Sequence, residues 1–140
     1  IIRTVEERFG KESRPKAIIL THGHFDHVGS VIRLADEWNV PVYAHEREIP
    51  YITGKRDYPK GDPSVDKGLV AKLSARFPHR SIDLGHRAAV LPSDGSVPGM
   101  LGWKWVHTPG HTEGHISLFR TQDKVLIAGD ALTGKLLNSL

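Results

Sequence analysis

The most informative segment of this chain is residues 16–27, which read KAIILTHGHFDH. Its first half, Lys16 to Thr21, is a continuous apolar run of strand length, which is typical of a strand buried on both faces. Apolar residues then recur at helical spacing from Gly29 to Trp38, and residues 40–44 (VPVYA) read as a second strand. Residues 16–44 therefore predict a βαβ unit with a right-handed crossover and parallel strands, and a histidine-rich loop follows its first strand.

The rest of the chain predicts a mixed α/β domain rather than an all-helical one. Residues 2–9 read as a short helix closed by Gly10. Residues 51–63 are rich in glycine, proline and charge, which is typical of a loop, and residues 64–77 carry apolar side chains four positions apart, which predicts a helix. Three further strands are predicted at 101–107, 116–120 and 124–128.

Composition places the chain among soluble globular proteins. Of its 140 residues, 39% are hydrophobic and 25% are charged, so we expect residues 1–140 to form a single domain. No apolar run approaches the roughly 18–20 residues that cross a bilayer, so we expect a cytoplasmic protein with no membrane partner. The net charge of +3 is spread along the chain, which argues against a nucleic-acid partner. The absence of cysteine excludes thiolate metal sites, disulfides and a cysteine nucleophile from this chain.

The nine histidines are unevenly distributed, since six of them fall in two short clusters. In the first cluster His22 and His24 are two residues apart at the end of a strand, so they project to the same side and can share a metal ion. Asp26 and His27 come next in the chain and face a second metal position. The alternative interpretation is a solvated loop that happens to be rich in histidine.

The second cluster lies within residues 108–115, TPGHTEGH, between two predicted strands. A Pro-Gly turn exposes His111, which can complete a three-histidine set with the first cluster. A third element ends another strand with Gly129 and Asp130. Asp130 is suited to bridge two metal ions, because a carboxylate has one oxygen for each.

Together the three segments resemble, in order, the motifs of the metallo-β-lactamase superfamily of metal-dependent hydrolases. The resemblance implies an α/β fold, the four-layer αββα sandwich, which is incomplete here because the chain corresponds to its central portion. We therefore expect a single metallo-β-lactamase-like domain truncated at both ends. Carried over to this sequence, the family's ligands are His22, His24 and His111 on one metal, Asp26 and His27 on the other, and Asp130 between them.

The resemblance also implies a cofactor and a mechanism. We expect two Zn²⁺ ions per complete domain, with iron or manganese as the alternative metals. A zinc-activated hydroxide would attack an ester, thioester, lactone or similar bond in a small-molecule substrate. Asp26 is the expected catalytic residue, because its free oxygen can orient that hydroxide and accept or pass a proton. The oligomeric state stays open, with a homodimer as one alternative.

Two other functions remain open. A mononuclear non-haem iron dioxygenase of the persulfide type resembles this family and would use His22, His111 and Asp130 as its facial triad. A non-catalytic fragment or interaction domain is the other alternative. Metal analysis separates the two enzymes, since zinc near two per full-length chain supports hydrolysis and iron near one supports oxygen chemistry.

Four further residues receive secondary interpretations. His115 is interpreted as support for the metal ligands rather than as a ligand. His45 is interpreted as a structural histidine. For Tyr51 and Tyr58, contact with substrate and anchoring of a loop are equally open.

Overall fold

The computed structural model describes residues 1–61 and 73–132 of the chain. Its α-helices are α1 (Ile2–Phe9), α2 (Phe25–Val28), α3 (Val31–Trp38) and α4 (Ile49–Ile52). Its strands are β1 (Ile18–Ile19), β2 (Val42–Ala44), β3 (Ala88–Val90), β4 (Trp103–His107), β5 (Ile116–Arg120) and β6 (Val125–Ile127). Short 3₁₀ turns lie at Glu46–Glu48, Ser74–Arg76, Gly85–Arg87 and Gly129–Ala131. Among these residues, no helix is both long enough and apolar enough to span a bilayer.

The strands form two three-stranded sheets. The first sheet has the order β1-β2-β3 and is parallel throughout, with Ile18 opposite Val42 and Val42 opposite Ala88. The second sheet has the order β4-β5-β6 and is antiparallel, with Trp103 opposite Arg120. The parallel pairing of β1 and β2 confirms the predicted βαβ unit.

The first sheet is covered on both faces, which explains why its first strand is a continuous apolar run. Ile18 packs against the helices, whereas its neighbour Ile19 packs with Tyr43 against the second sheet. The buried cluster on the helix side consists of Leu20, Val28, Val31, Ala35, Val42, Ala44, Ile52 and Leu84. The buried cluster between the sheets consists of Leu91, Val97, Ile116 and Leu118. Helices, first sheet and second sheet therefore form three successive layers.

Helix α3 ends where the sequence predicts. Asn39 adopts the left-handed conformation (φ 52°, ψ 53°), and its N–H donates to the carbonyls of Ala35 and Asp36. Asparagine tolerates this conformation better than most residues, so it closes the helix and directs the chain into β2.

The structure corrects the expected histidine-rich loop. Residues 25–28 form the short helix α2, because the carbonyl of His24 accepts hydrogen bonds from the N–H groups of His27 (2.9 Å) and Val28 (3.1 Å). Val28 is buried in the helix-side cluster, which holds this turn against the core. His24 is therefore the last extended residue before a helical turn.

Other elements differ in length or were not predicted. Strand β1 has two residues instead of six, although the N–H of Leu20 still bonds to the carbonyl of Tyr43 (2.9 Å). Tyr51 and Ile52 belong to helix α4 rather than to the predicted loop. Strand β3 was not predicted. The predicted helix at 64–77 falls outside the described residues for 64–72, and the part described contains one 3₁₀ turn.

Candidate metal centre

The histidine clusters meet where the two sheets approach each other. The backbone carbonyl of Thr21 accepts a hydrogen bond from the N–H of Ile116, the first residue of β5, at 3.0 Å. This bond sets the segment after β1 beside the loop that precedes β5. The Ser117 hydroxyl donates to the carbonyl of Ala128 at 3.0 Å, which brings the Gly129–Ala131 turn to the same place. Three segments distant in sequence thus converge on one site.

Two groups of side chains offer ligand atoms that lie within 4.8 Å of one another. The first group is His22, His24 and His111, in which His24 Nδ1 is 2.8 Å from His111 Nε2. The second group is His22, His27 and Asp130. His22 belongs to both groups, so the structure brings five of the six predicted ligands into one continuous cluster.

Asp130 belongs to the second group and also approaches the first. Its Oδ2 atom is 3.7 Å from His22 Nε2, 3.5 Å from His27 Nε2 and 3.2 Å from His111 Nε2. Two ligands of one tetrahedral ion with bonds of about 2.0–2.2 Å stand about 3.3–3.6 Å apart. One of the three distances lies in this range and the other two lie just outside it, so the spacing is close to that of ligands that share a divalent ion.

His22 has the properties of a metal ligand. Its side chain is fully buried, and its Nε2 atom has no hydrogen-bond partner among the described residues. Burial, together with the neighbouring His27, lowers the pKa of His22 from 6.5 to about 2. A neutral imidazole with a buried and unused nitrogen costs free energy unless something binds it. A divalent cation fits this position.

Asp26 is less closely associated with the cluster than predicted. Its Oδ2 lies 3.9 Å from His27 Nε2, its side chain is 57% exposed, and it is a member of neither ligand group among the described residues. Asp26 occupies the second position of α2, and this short helix turns its side chain toward solvent. Its assignment as ligand and catalytic residue stays a prediction.

His115 supports the site without belonging to a ligand group. Its Nε2 atom accepts a hydrogen bond from the backbone N–H of Asp130 (3.0 Å), and burial lowers its pKa, so the neutral ring carries its proton on Nδ1. That proton is donated to Thr108 Oγ1 (2.9 Å), which in turn bonds to Ser117 Oγ (3.1 Å). This chain of bonds fixes the turn that carries Asp130, as the sequence interpretation of His115 expected.

The sequence analysis missed Glu48. This residue is fully buried, and its carboxylate accepts hydrogen bonds from the backbone N–H groups of Gly23 and Gly114, one in each histidine motif. A signal was present in the sequence, because Glu48 shares a helical face with the apolar Tyr51 and Ile52. A charged residue at such a position indicates a specific partner.

The remaining secondary interpretations concern residues outside both ligand groups. His45 is buried, stacks on His107 with 4.2 Å between ring centroids, and accepts a hydrogen bond from the N–H of Arg47. These contacts agree with a structural role. Tyr58 is buried and donates its hydroxyl to Glu48, and Tyr51 stacks on it at 4.2 Å, so the contacts favour the loop anchor for both tyrosines.

The sequence matches known proteins along most of its length. A family model described as the metallo-beta-lactamase superfamily matches residues 4–136. The Bacillus subtilis (strain 168) protein named "Probable metallo-hydrolase YflN" is 55% identical over 132 residues, which are 94% of this chain and 50% of the relative. The "Hydroxyacylglutathione hydrolase GloC" of Haemophilus influenzae is 28% identical over 84% of this chain and 50% of that protein. The chain thus spans about half the length of these curated relatives.

Solved structures with the same fold are also partly covered. The di-iron-bound form of TTHA1623 superposes with a TM-score of 0.60 at 27% identity, over 98% of this chain and 59% of the other. The B3 metallo-beta-lactamase BLEG-1 superposes with a TM-score of 0.61 at 29% identity, over 96% of this chain and 57% of the other. The layers described above therefore correspond to a part of these larger folds.

Proposed function

Because the chain belongs to the metallo-beta-lactamase superfamily, we propose that it carries the metal centre of a hydrolase that uses two zinc ions to cleave an ester, thioester or lactone bond. The family, and a partial form of its αββα sandwich, are as the sequence predicted. The observation that carries the proposal is the buried His22, whose Nε2 has no hydrogen-bond partner among the described residues and which belongs to both groups of ligand residues. A second metal position next to the first is what a dinuclear hydrolase requires.

The proposal assigns the ions to the chain's own residues. His22, His24 and His111 would hold one ion, and His27 with Asp130 would hold the other. Asp26, whose Oδ2 lies 3.9 Å from His27 Nε2, would complete the second position. Asp130 Oδ2 lies 3.5 Å from His27 Nε2 and 3.2 Å from His111 Nε2, so the carboxylate would be shared by both ions.

Divalent ions held there would lower the pKa of a bound water toward 7 and polarise the scissile carbonyl of the substrate. The residues supply positioning and proton transfer. The carboxylate of Asp26, whose Oδ2 lies 3.9 Å from His27 Nε2, would accept a proton from the attacking water and return it to the leaving group. The His115 hydrogen bond to the backbone of Asp130 keeps the bridging carboxylate in place.

A thioester is the first substrate class to test, because one relative is named a hydroxyacylglutathione hydrolase. Zinc is the first metal to test, and iron is the second, because a structural neighbour was solved in a di-iron form. An enzyme with one iron held by His22, His111 and Asp130 would perform oxygen chemistry instead of hydrolysis.

The test compares His24→Ala with His86→Ala, an exposed histidine outside both ligand groups. The protein is purified without chelator, its zinc, iron and manganese are measured by mass spectrometry, and turnover is measured on a thioester, an aryl ester and a lactone. We expect about two zinc ions per chain and hydrolysis in the wild type and in His86→Ala. In His24→Ala we expect loss of metal and a fall in turnover of more than about 100-fold, since even a group that only orients a ligand contributes about 10–100-fold.

Two results would refute the proposal. One is a His24→Ala variant that retains both its metal and its turnover. The other is a wild-type protein that hydrolyses none of the three substrates, and one iron per chain in such a protein would favour the dioxygenase.

A further inference from the structure

We propose that Glu48 is a positioning residue whose carboxylate holds the two histidine motifs at the separation that metal binding needs. The inference rests on the proposed metal centre, but it concerns a residue outside both ligand groups. Glu48 ends the 3₁₀ turn after β2, on an element that carries none of the predicted ligands.

One oxygen of Glu48 holds the first motif. Oε2 accepts the backbone N–H of Gly23 at 3.1 Å and also the hydroxyl of Tyr58. The same N–H of Gly23 lies 2.9 Å from the Tyr58 oxygen. Gly23 is the residue between His22 and His24, so this contact fixes the backbone that sets the distance between two ligands.

The other oxygen of Glu48 holds the second motif. Oε1 accepts the hydroxyl of Thr112 at 2.5 Å and the backbone N–H of Gly114 at 3.0 Å. Thr112 follows the ligand His111, and Gly114 precedes His115. A single buried carboxylate therefore joins the loop of His111 to the loop that carries the first two histidines.

These hydrogen bonds occupy all the acceptor positions of the Glu48 carboxylate. An ionised carboxylate offers about four lone-pair positions, and four donors fill them. Hydrogen bonds to a charged acceptor are shorter and stronger than neutral ones. The carboxylate thus holds both loops through stronger hydrogen bonds than a neutral acceptor would provide.

Glycine is required at one position in each motif by close packing around Glu48 and its partner Tyr58. A Cβ atom on Gly114 would stand 2.7 Å from Glu48 Cγ and 2.7 Å from its backbone nitrogen. A Cβ atom on Gly23 would stand 2.6 Å from Ile52 Cγ2 and 2.6 Å from the Tyr58 hydroxyl. The second loop therefore lies so close to the Glu48 segment that only glycine fits at position 114, and the first loop lies equally close to Ile52 and to Tyr58, which bonds to Glu48.

Glu48→Gln is the sharpest variant, because it keeps the shape of the side chain. Each oxygen of Glu48 accepts one backbone N–H, from Gly23 or from Gly114, and a backbone N–H cannot accept in return. Whichever way the glutamine amide turns, its NH₂ group faces one of these donors and releases one loop. Glu46→Gln is the matched control, because it removes the same charge from an exposed position on the same turn. Thr112→Val removes one hydroxyl donor and leaves the rest of the contact in place.

The first readout is zinc affinity, measured by competition with a chromophoric chelator, for protein whose fold is checked by circular dichroism. The second is the visible absorption of the cobalt-substituted protein, which reports the geometry of the ligands and does not depend on turnover. We expect Glu48→Gln to bind zinc about 10–100-fold more weakly and to shift the cobalt spectrum, as loss of a group that orients ligands does. We expect Glu46→Gln to match the wild type, and Thr112→Val to weaken zinc binding by a smaller factor.

The inference is wrong if Glu48→Gln unfolds more easily yet keeps the wild-type zinc affinity and cobalt spectrum, because the residue would then serve stability alone. Should Glu48→Gln fail to fold, Thr112→Val decides: weaker zinc binding supports the inference and unchanged binding overturns it. A wild-type protein that binds zinc but hydrolyses nothing would refute the proposed function and leave this comparison intact. The two failures are therefore distinguishable.

Discussion

Replacing Gly114 by alanine should be among the most damaging single-methyl additions in the described part of this protein. The new Cβ would stand 2.7 Å from Glu48 Cγ, 2.7 Å from Glu48 N and 3.0 Å from Arg47 C. Ordinary carbon contacts lie at about 3.5–4.0 Å, so the loop must retreat by about 1 Å. Two of the three atoms are backbone, so no side-chain rotation relieves the clash.

The cost follows from overpacking and from the bond that the retreat breaks. Overpacking costs about 1–3 kcal/mol, and the 3.0 Å hydrogen bond from Gly114 N to Glu48 contributes about 1.5–3 kcal/mol because its acceptor is charged. We therefore expect the free energy of unfolding in urea to fall by about 2.5–6 kcal/mol, with weaker zinc binding in the variant.

Gly29→Ala is the control, because it adds the same methyl group without a clash. Its nearest contact would be the carbonyl oxygen of Phe25 at an ordinary 3.5 Å, and Gly29 has a right-handed helical backbone (φ −55°). Alanine at such a position stabilises by about 0.4–1 kcal/mol, because it restricts the unfolded chain. If Gly114→Ala unfolds within 0.5 kcal/mol of the wild type, a threshold of about half the smallest overpacking cost, the close approach of the motif to Glu48 is refuted.

Two further predictions test the metal and the helix boundary. Chelation of the metal should lower the melting temperature while far-UV circular dichroism at 25 °C stays constant. Zinc at about 100 times its Kd should restore about 2.7 kcal/mol of the free energy of unfolding. Loss of the dichroism signal on chelation would contradict this prediction. Asn39→Gly should change the free energy of unfolding by only a few tenths of a kcal/mol, whereas Asn39→Val should cost about 1–2 kcal/mol because the residue has φ 52°. Equal stabilities of the two variants in urea would contradict the left-handed conformation of Asn39.

The parts of the fold that sequence could predict are those with local causes. Helix α3 and the strands around it are visible because apolar spacing and the Asn39 stop lie within a few residues of one another. Strand β3 was missed because Ala88 and Ala89 are small and show no alternation. Their extended backbone comes from pairing with β2, whose Val42 lies opposite Ala88. No residue near them in the sequence predicts that pairing.

In the candidate site, too, the features with local causes could be predicted from sequence and those that depend on distant residues could not. The ligand motifs are visible because several imidazoles and carboxylates in a few residues are hard to explain by packing. Sequence can mark Glu48 as a charged residue on an apolar face, but it cannot predict the partners Gly23 and Gly114, which are 25 and 66 residues away. Asp26 was predicted from its motif. Its orientation depends on the short helix α2, which packs against the core through the buried Val28.

The loops of the candidate metal centre are positioned by contacts within the protein. The ligand loops are already held by contacts that involve no ion: the carboxylate of Glu48 joins the two histidine motifs, His115 holds the backbone of Asp130, and the Ile116 N–H holds the carbonyl of Thr21. A site assembled in this way needs little further ordering when it binds a cation, so less binding free energy is spent on folding than in proteins whose structure depends on the metal. The cost of that preorganisation is the buried, unused nitrogen of His22, which binding would relieve. Metal affinity in this protein should therefore depend as much on the groups that fix the loops as on the ligands themselves.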